Sequence, residues 1–481
     1  MTESSPLWKR HAALCVFLIC ATIALFSGGV FAAEPESTAP ITRDGAPWSL
    51  VNVLRGFLGL ATLIGLAWIL SFNKKAFPVR VVAGAVGLQL VLGLLLIKWD
   101  IGYSFFEAIS TVFVKLLGFT TEGSVLVFGD LVTNPTQNRP ALAFQALPTI
   151  IFFSCLMSVL YHLRVMHALI WVLAQIMNRA LGVTGAESMA MGANVFVGQT
   201  EAPLVIRRFI PTMTQSEIMS LMVGGFATIA GSVLAAYIKF LEDAGGADFV
   251  PHLLIASVMS APAAFAIAKI ILPETEESET GKGMSMTFKP VNDNVLDAAA
   301  AGTSDGLKLW MNVFAMLLAF TAMVAFINWP LEALGDWILE GPIREQIGMA
   351  VDLKIGLDTI FGLVFAPLAF MMGVEGADCI RFGGLLGMKI GLNEFLAYLE
   401  LTQQVALFNA GEAGAMSKRS LFMATYALCG FANFASIGIQ LGGITPLAPE
   451  RRKEIIKLVL RAMLGGALAS WMTASIAGMF F

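Results

Sequence analysis

The chain has 481 residues, of which 57% are hydrophobic and only 13% are Asp, Glu, Lys or Arg, with a net charge of −4. Soluble domains carry about 25% charged residues, so much of the expected solvating surface is missing, and apolar tracts of about twenty residues recur along the whole chain. A water-soluble enzyme is excluded, and with no basic run longer than three residues nucleic acid is not an implied partner. The expected class is an all-α integral membrane protein. Cys15, Cys20, Cys155, Cys379 and Cys429 lie in or beside apolar tracts without CxxC spacing and read as small core residues.

Lys9-Arg10, an apolar stretch over 12–26 and the small residues before Glu34 have the plan of a secretory signal cleaved near Ala32 or Ala33. The other reading is an uncleaved first span. Either places 34–48 outside the inner membrane as a polar periplasmic segment. Eight spans follow by hydropathy, over 49–72, 81–97, 141–163, 216–241, 251–272, 309–331, 420–443 and 455–481. Their direction puts Lys74-Lys75, Arg207-Arg208 and the basic run Arg451-Arg452-Lys453 on the cytoplasmic side, as basic-loop bias requires. Over 102–117, Phe105, Ile109, Val112, Phe113 and Leu116 recur at helical spacing while Glu107 and Lys115 interrupt them, which predicts an interfacial amphipathic helix. The acidic segment 273–308 reads as a cytoplasmic linker. It separates a scaffold (49–163) and first repeat (164–272) from a second repeat (309–481).

Two tracts, 182–210 and 356–399, fit badly as simple spans. In the first, Gly198 and Pro203 bracket Gln199-Thr200-Glu201, where a helix must break. In the second, Glu375 stands in a Gly-broken apolar run. Non-helical backbone at membrane depth survives only when buried in protein or lining a wet cavity, and a mid-membrane carboxylate costs about 2.5–3.5 kcal/mol on insertion scales. Each tract precedes a related string, Gly225-Phe226-Ala227-Thr228 and Gly430-Phe431-Ala432-Asn433. Paired broken segments in inverted halves point to a substrate site at the repeat interface. Gln199, Thr200, Glu201, Glu375, Asn433 and Ser436 offer amides, hydroxyls and carboxylates without a cation. That favours a neutral, hydroxyl-rich solute over an anion, with amides suited to a planar base.

The strings Gly198-Gln199-Thr200-Glu201-Ala202-Pro203-Leu204, Asn393-Glu394-Phe395-Leu396-Ala397-Tyr398 and Tyr426-Ala427-Leu428-Cys429-Gly430-Phe431-Ala432-Asn433 closely resemble the concentrative nucleoside transporter family, from about Arg55 onward. The resemblance implies eight transmembrane helices, two re-entrant hairpins, an interfacial helix and a homotrimer whose protomers transport independently. It implies that Gln199, Thr200, Glu201 and Val233 face the nucleobase, that Glu375, Asn433 and Ser436 hold the ribose, and that Phe431 lines the pocket. In sodium-coupled members an Na⁺ site falls on the positions of Asn194, Val197, Thr228 and Ile229, the apolar ones through their carbonyls. Ala435 stands where some members carry a second serine. The Asn393-Glu394-Phe395 string is read as a structural or gating hydrogen-bond cluster. His162, His167 and His252 lack metal-ligand spacing and read as structural. The expected activity is nucleoside uptake coupled to Na⁺, with H⁺ as the alternative because Glu201 or Glu375 could titrate. A membrane-embedded hydrolase and a channel are competing classes, the first without an HExxH motif.

Overall fold

The computed structural model describes residues 50–133, 144, 146–281, 292–339, 356–412 and 414–481; the expected signal segment 1–33 and polar segment 34–48 lie outside them. Among the described residues every regular element is helical. We label the main helices α1 (Leu50–Ile69), α2 (Val79–Gly93, ending in a π turn Leu94–Lys98), α3 (Asp100–Phe128), α4 (Thr149–His162), α5 (Val165–Leu181), α6 (Gly185–Asn194), α7 (Ala202–Val205), α8 (Gln215–Ala227), α9 (Gly231–Asp243) and α10 (Val250–Ile271). After the acidic segment come α11 (Val295–Leu339), α12 (Leu357–Met372), α13 (Cys379–Gly391), α14 (Glu394–Asn409), α15 (Lys418–Leu428), α16 (Phe434–Ile444) and α17 (Arg452–Ala477).

The succession α5 to α10 is repeated by α12 to α17. In each, an apolar helix ends on a left-handed glycine, Gly182 (φ 67°) or Gly373 (φ 97°), and two short helices then flank a break. The caps share a string: Gly182-Val183-Thr184-Gly185-Ala186-Glu187 against Gly373-Val374-Glu375-Gly376-Ala377-Asp378. Gly at C′ releases the chain without the Cβ penalty of positive φ. In the first half Thr184 and Glu187 then form a capping box that starts α6, satisfying amides that have no partner within the helix.

Each half next contains a span interrupted in mid-course. α8 stops at Ala227 and α9 starts at Gly231; α15 stops at Leu428 and α16 starts at Phe434. Hydropathy alone predicts a continuous span over 216–241 and over 420–443. The exposed amides are satisfied locally, as they must be in a low-dielectric surround. Gly231 N donates to Phe196 O at 2.9 Å, and Asn433 Oδ1 caps α16 by accepting from Ser436 N at 2.8 Å. The two breaks touch. A Cβ on Gly430 (φ 116°) would lie 2.6 Å from Phe226 O and 2.8 Å from Ala227 O, so backbone crosses backbone there, and only glycine permits it.

Two boundaries differ from expectation. The helix predicted over 102–117 continues to Phe128, since the interruptions at Glu107 and Lys115 leave a face of uninterrupted apolar residues. The segment expected as linker to 308 is helical from Val295, where Asn294 Oδ1 accepts from Asp297 N at 2.9 Å and a run of four alanines, 298–301, favours helix.

Seven helical stretches are long and apolar enough to cross a membrane, by length and composition, or eight if the α4–α5 pair, bent by 78°, is one span. They fall into two kinds. The apolar windows of α8–α9 and α10 are 89% and 94% buried, whereas those of α3 and α11 are 17% and 6% buried. The repeat helices thus form the core, with α8, α10 and α17 packed on one another, and α11 lies against α4 at its edge.

Candidate functional site

The first hairpin carries Gln199, Thr200 and Glu201 on the turn between α6 and α7. The tip is held by its own carbonyls: Val195 O accepts from Ser257 Oγ at 2.8 Å and Phe196 O from Gly231 N. Gln199 is buried, its Cβ 2.9 Å from where a Cβ on Gly225 would stand. Thr200 lies over Gly443 of α16, where an added Cβ would be 3.0 Å from the Thr200 Cα. The turn is therefore seated on both halves, on α8 through Gly225 and on α16 through Gly443. Glu201 is solvent-exposed and within electrostatic reach of Tyr161 on α4 and Asp305 on α11. The Gln199 Oε1 and Gln440 Oε1 atoms are buried without a protein partner. Buried polar groups ordinarily find one, so these two mark a place where a polar ligand or water belongs.

The second half brings its polar groups together differently from the expectation. Asn433, having spent its oxygen on capping α16, turns its amide nitrogen toward Glu394, and Nδ2 donates to Oε2 at 2.5 Å. Tyr237 Oη on α9 donates to the other oxygen of that carboxylate at 3.2 Å. Glu394 follows Asn393, whose side chain caps α14 by accepting from Leu396 N at 2.9 Å. This first-turn position suits a carboxylate, because the helix N-terminus carries partial positive charge. Ser436 and Val233 are buried beside this cluster's elements, and Phe431 is half-buried on the break.

Glu375 does not join them. It sits on the turn between α12 and α13, the position that Thr184 holds in the first half, half-buried and within reach of Arg419. Arg419 binds that turn through Gly373 O at 2.8 Å and the end of α17 through Gly478 O at 2.8 Å. The sequence pattern, an acid in a Gly-broken apolar run, predicts a hairpin tip with Glu375 on the ribose side; the structure places Glu375 at the start of the helical turn Gly376–Asp378. The acid that accompanies Asn433 is Glu394. Asn393 and Glu394 of that string are hydrogen-bonded, and Glu394 does so with Asn433 of the candidate site, although the string is expected to be structural or gating rather than a substrate contact. Sequence reasoning also missed Tyr237 and Gln440. The signal available was the paired Gly-Val-x-Gly-Ala string, which aligns Glu375 with Thr184.

The candidate cation residues converge on the first break. Asn194 ends α6 and is fully buried, with neither its amide oxygen nor its nitrogen paired. A Cβ on Gly224 would lie 3.0 Å from its Nδ2, and Thr228 Oγ1 donates to Gly224 O at 2.8 Å. Val197 and Ile229 are buried on the two segments that meet there. Among the described residues no group of three His, Cys, Asp or Glu could hold a metal ion. Oxygens of an amide, a hydroxyl and carbonyls suit a hard monovalent cation rather than a transition metal, and an orphaned buried amide fits such an ion.

Comparison with known proteins bears on this geometry. Residues 58–131 match the family profile described as Na⁺ dependent nucleoside transporter N-terminus, 143–244 that of nucleoside recognition, and 252–478 that of Na⁺ dependent nucleoside transporter C-terminus. The chain belongs to the concentrative nucleoside transporter family. It is a multi-pass membrane transporter and not an enzyme. Within the family it is 40% identical to an uncharacterized transporter of Haemophilus influenzae, over 89% of this chain and 98% of that one. It is 41% identical to the sodium/nucleoside cotransporter 1 of Rattus norvegicus, over 89% of this chain but only 64% of the longer rat protein. Among solved structures, CNTnw in an inward-facing substrate-bound state is 37% identical with a TM-score of 0.79, over 89% of this chain and 98% of CNTnw. An outward-facing CNTnw variant matches at 0.80 over 90% and 98%.

Proposed function

We propose that the chain is a cation-coupled symporter that takes up nucleosides across a bacterial inner membrane by alternating access, with Na⁺ as the coupling ion. What carries the reading is the pair of buried polar groups left without protein partners at the first hairpin, the Asn194 amide on one side and Gln199 Oε1 on the other, one suited to an ion and one to a base. Gln199, Thr200 and Glu201, with Val233 behind them, face the nucleobase. Glu394, Asn433 and Ser436 face the ribose, where a carboxylate accepts well from vicinal hydroxyls, and Phe431 supplies an apolar wall. Asn194, Thr228 and the carbonyls of Val197 and Ile229 hold the cation. Because the same turn carries ion ligands and base ligands, ordering it with one raises affinity for the other by the same factor in both directions. The unit in the membrane is a homotrimer with the chain's N-terminus on the periplasmic side.

The test is uptake of radiolabelled uridine into proteoliposomes with an inward Na⁺ gradient, with a proton gradient, and with neither. Accumulation above equilibrium with sodium alone supports the reading, and Asn194→Ala should raise the sodium concentration for half-maximal uptake about tenfold or more. Accumulation driven only by protons would replace the coupling ion and leave the substrate. Equilibration without accumulation under either gradient would mean a channel.

A further inference from the structure

Lys389, on α13, is fully buried and five residues before Glu394. Its Nζ donates to Ala427 O at 2.8 Å, to Cys429 O at 3.2 Å and to Ser470 Oγ at 2.7 Å. The Ser470 hydroxyl already gives its hydrogen to Ala467 O at 2.9 Å, so toward Lys389 it can only accept. Three acceptors around one nitrogen require three donors, and only the ammonium form has them. Read as an ammonium, it sits against the last carbonyls of α15, at the end where a helix carries partial negative charge. The Glu394 carboxylate is within its electrostatic reach.

The aligned strings Gly225-Phe226-Ala227-Thr228 and Gly430-Phe431-Ala432-Asn433 give each of these carbonyls a counterpart. Cys429 corresponds to Gly224, and Ala427 to Met222. In the first half Gly224 O takes the Thr228 hydroxyl and Met222 O takes Gln440 Nε2 at 2.9 Å. The hairpin side chain facing that break is the unpaired Asn194 amide, which brings no charge. One half thus presents a neutral amide to its broken helix, and the other presents a cation fixed to the chain.

We infer that the Lys389 ammonium is a built-in cation doing in the second half what a transported ion does in the first: it bridges the hairpin to the broken span and holds the Cys429–Asn433 segment where Asn433 meets Glu394. It is a positioning residue, and the inference rests on the cation reading of Asn194 given above. It implies that one half of the protein is permanently charged and needs no ion, so that a single exchangeable cation serves each protomer.

The full-length protein is tested in detergent by uridine titration calorimetry while Na⁺ is varied at constant ionic strength, with ammonium as a second cation. The wild type should show sodium dependence with a Hill coefficient of about one. Lys389→Met keeps the bulk without the charge and should weaken uridine binding about tenfold or more at saturating sodium. Lys389→Ala opens the space, and high Na⁺ or ammonium should restore binding to within about threefold while the Hill coefficient for the cation rises toward about two. A merely structural lysine would let methionine substitute and would not raise that coefficient. The inference is overturned if the Met variant, with wild-type melting, binds uridine normally, or if no cation concentration helps the Ala variant. If neither variant folds, Ser470→Ala decides: a roughly threefold or greater loss of uridine affinity supports the inference, and unchanged affinity overturns it. A wild type indifferent to sodium would instead remove the coupling-ion reading, leaving ammonium rescue of the Ala variant to judge Lys389.

Discussion

Glu375 and Glu394, both in the second half, have different surroundings, and the proposed site takes only the second. Glu394 is fully engaged by Tyr237 and Asn433, whereas Glu375 lies on a turn held by Arg419. Hydrogen bonds to a charged group contribute about 1.5–3 kcal/mol, so Glu394→Gln should cut uridine uptake by about tenfold or more. Glu375→Gln should leave it within about twofold; equal losses in parallel proteoliposome assays would reverse the assignment. Composition and local pattern reveal an acid in an apolar run and the glycines around it, but they do not reveal depth. Glu201 was legible because Gly198 and Pro203 break the helix on both sides of it. Glu394 was not, because it opens a helix whose preceding residue, Asn393, looks like any cap.

At the scale of elements, the long apolar helices α1, α2, α10 and α17 were legible to within a few residues. The interruptions at 228–230 and 429–433 were not, since both are written in residues as apolar as the helices they interrupt. What makes them breaks is tertiary: Phe196 O and the Asn433 side chain supply the caps, and Gly430 lets the two segments cross. Gly430→Ala combines an unfavourable positive φ with a backbone collision, and should lower stability by about 2–5 kcal/mol, read as the midpoint of thermal unfolding in detergent. A second test lies at the base of the first hairpin. Lys269 Nζ pairs with Glu187 at 2.8 Å, both side chains being at most 4% exposed, and also donates to Ser216 Oγ at 3.0 Å. Removing one partner strands a buried charge, so Lys269→Met should cost about 3–5 kcal/mol. The double variant Lys269→Met with Glu187→Met should recover most of it; a double variant as unstable as the single would show that the pair itself is not the cause.

For the whole molecule, the contrast between the apolar windows of α10, 94% buried, and of α11, 6% buried, separates a self-contained core from an apolar edge. Leu318, Phe326 and Trp329 on α11 are 65%, 68% and 74% exposed. Such a surface calls for lipid or other copies of the chain. The proposed homotrimer predicts that light scattering in mild detergent returns the mass of three chains, and a single-chain mass at working concentrations would remove it. Division into two like halves was visible in the sequence through the Gly-Phe-Ala strings. The pairing of their starting points needed the structure, because the polar residue after Gly-Val differs, Thr184 in one and Glu375 in the other.

Where Gly430 meets Phe226 and Ala227, no side chain intervenes between the halves. Side chains can swing to absorb a displacement, whereas main chain pressed on main chain has no slack to take up. A shift of either segment is therefore passed to the other, and in the proposed transport cycle the two breaks move as a pair.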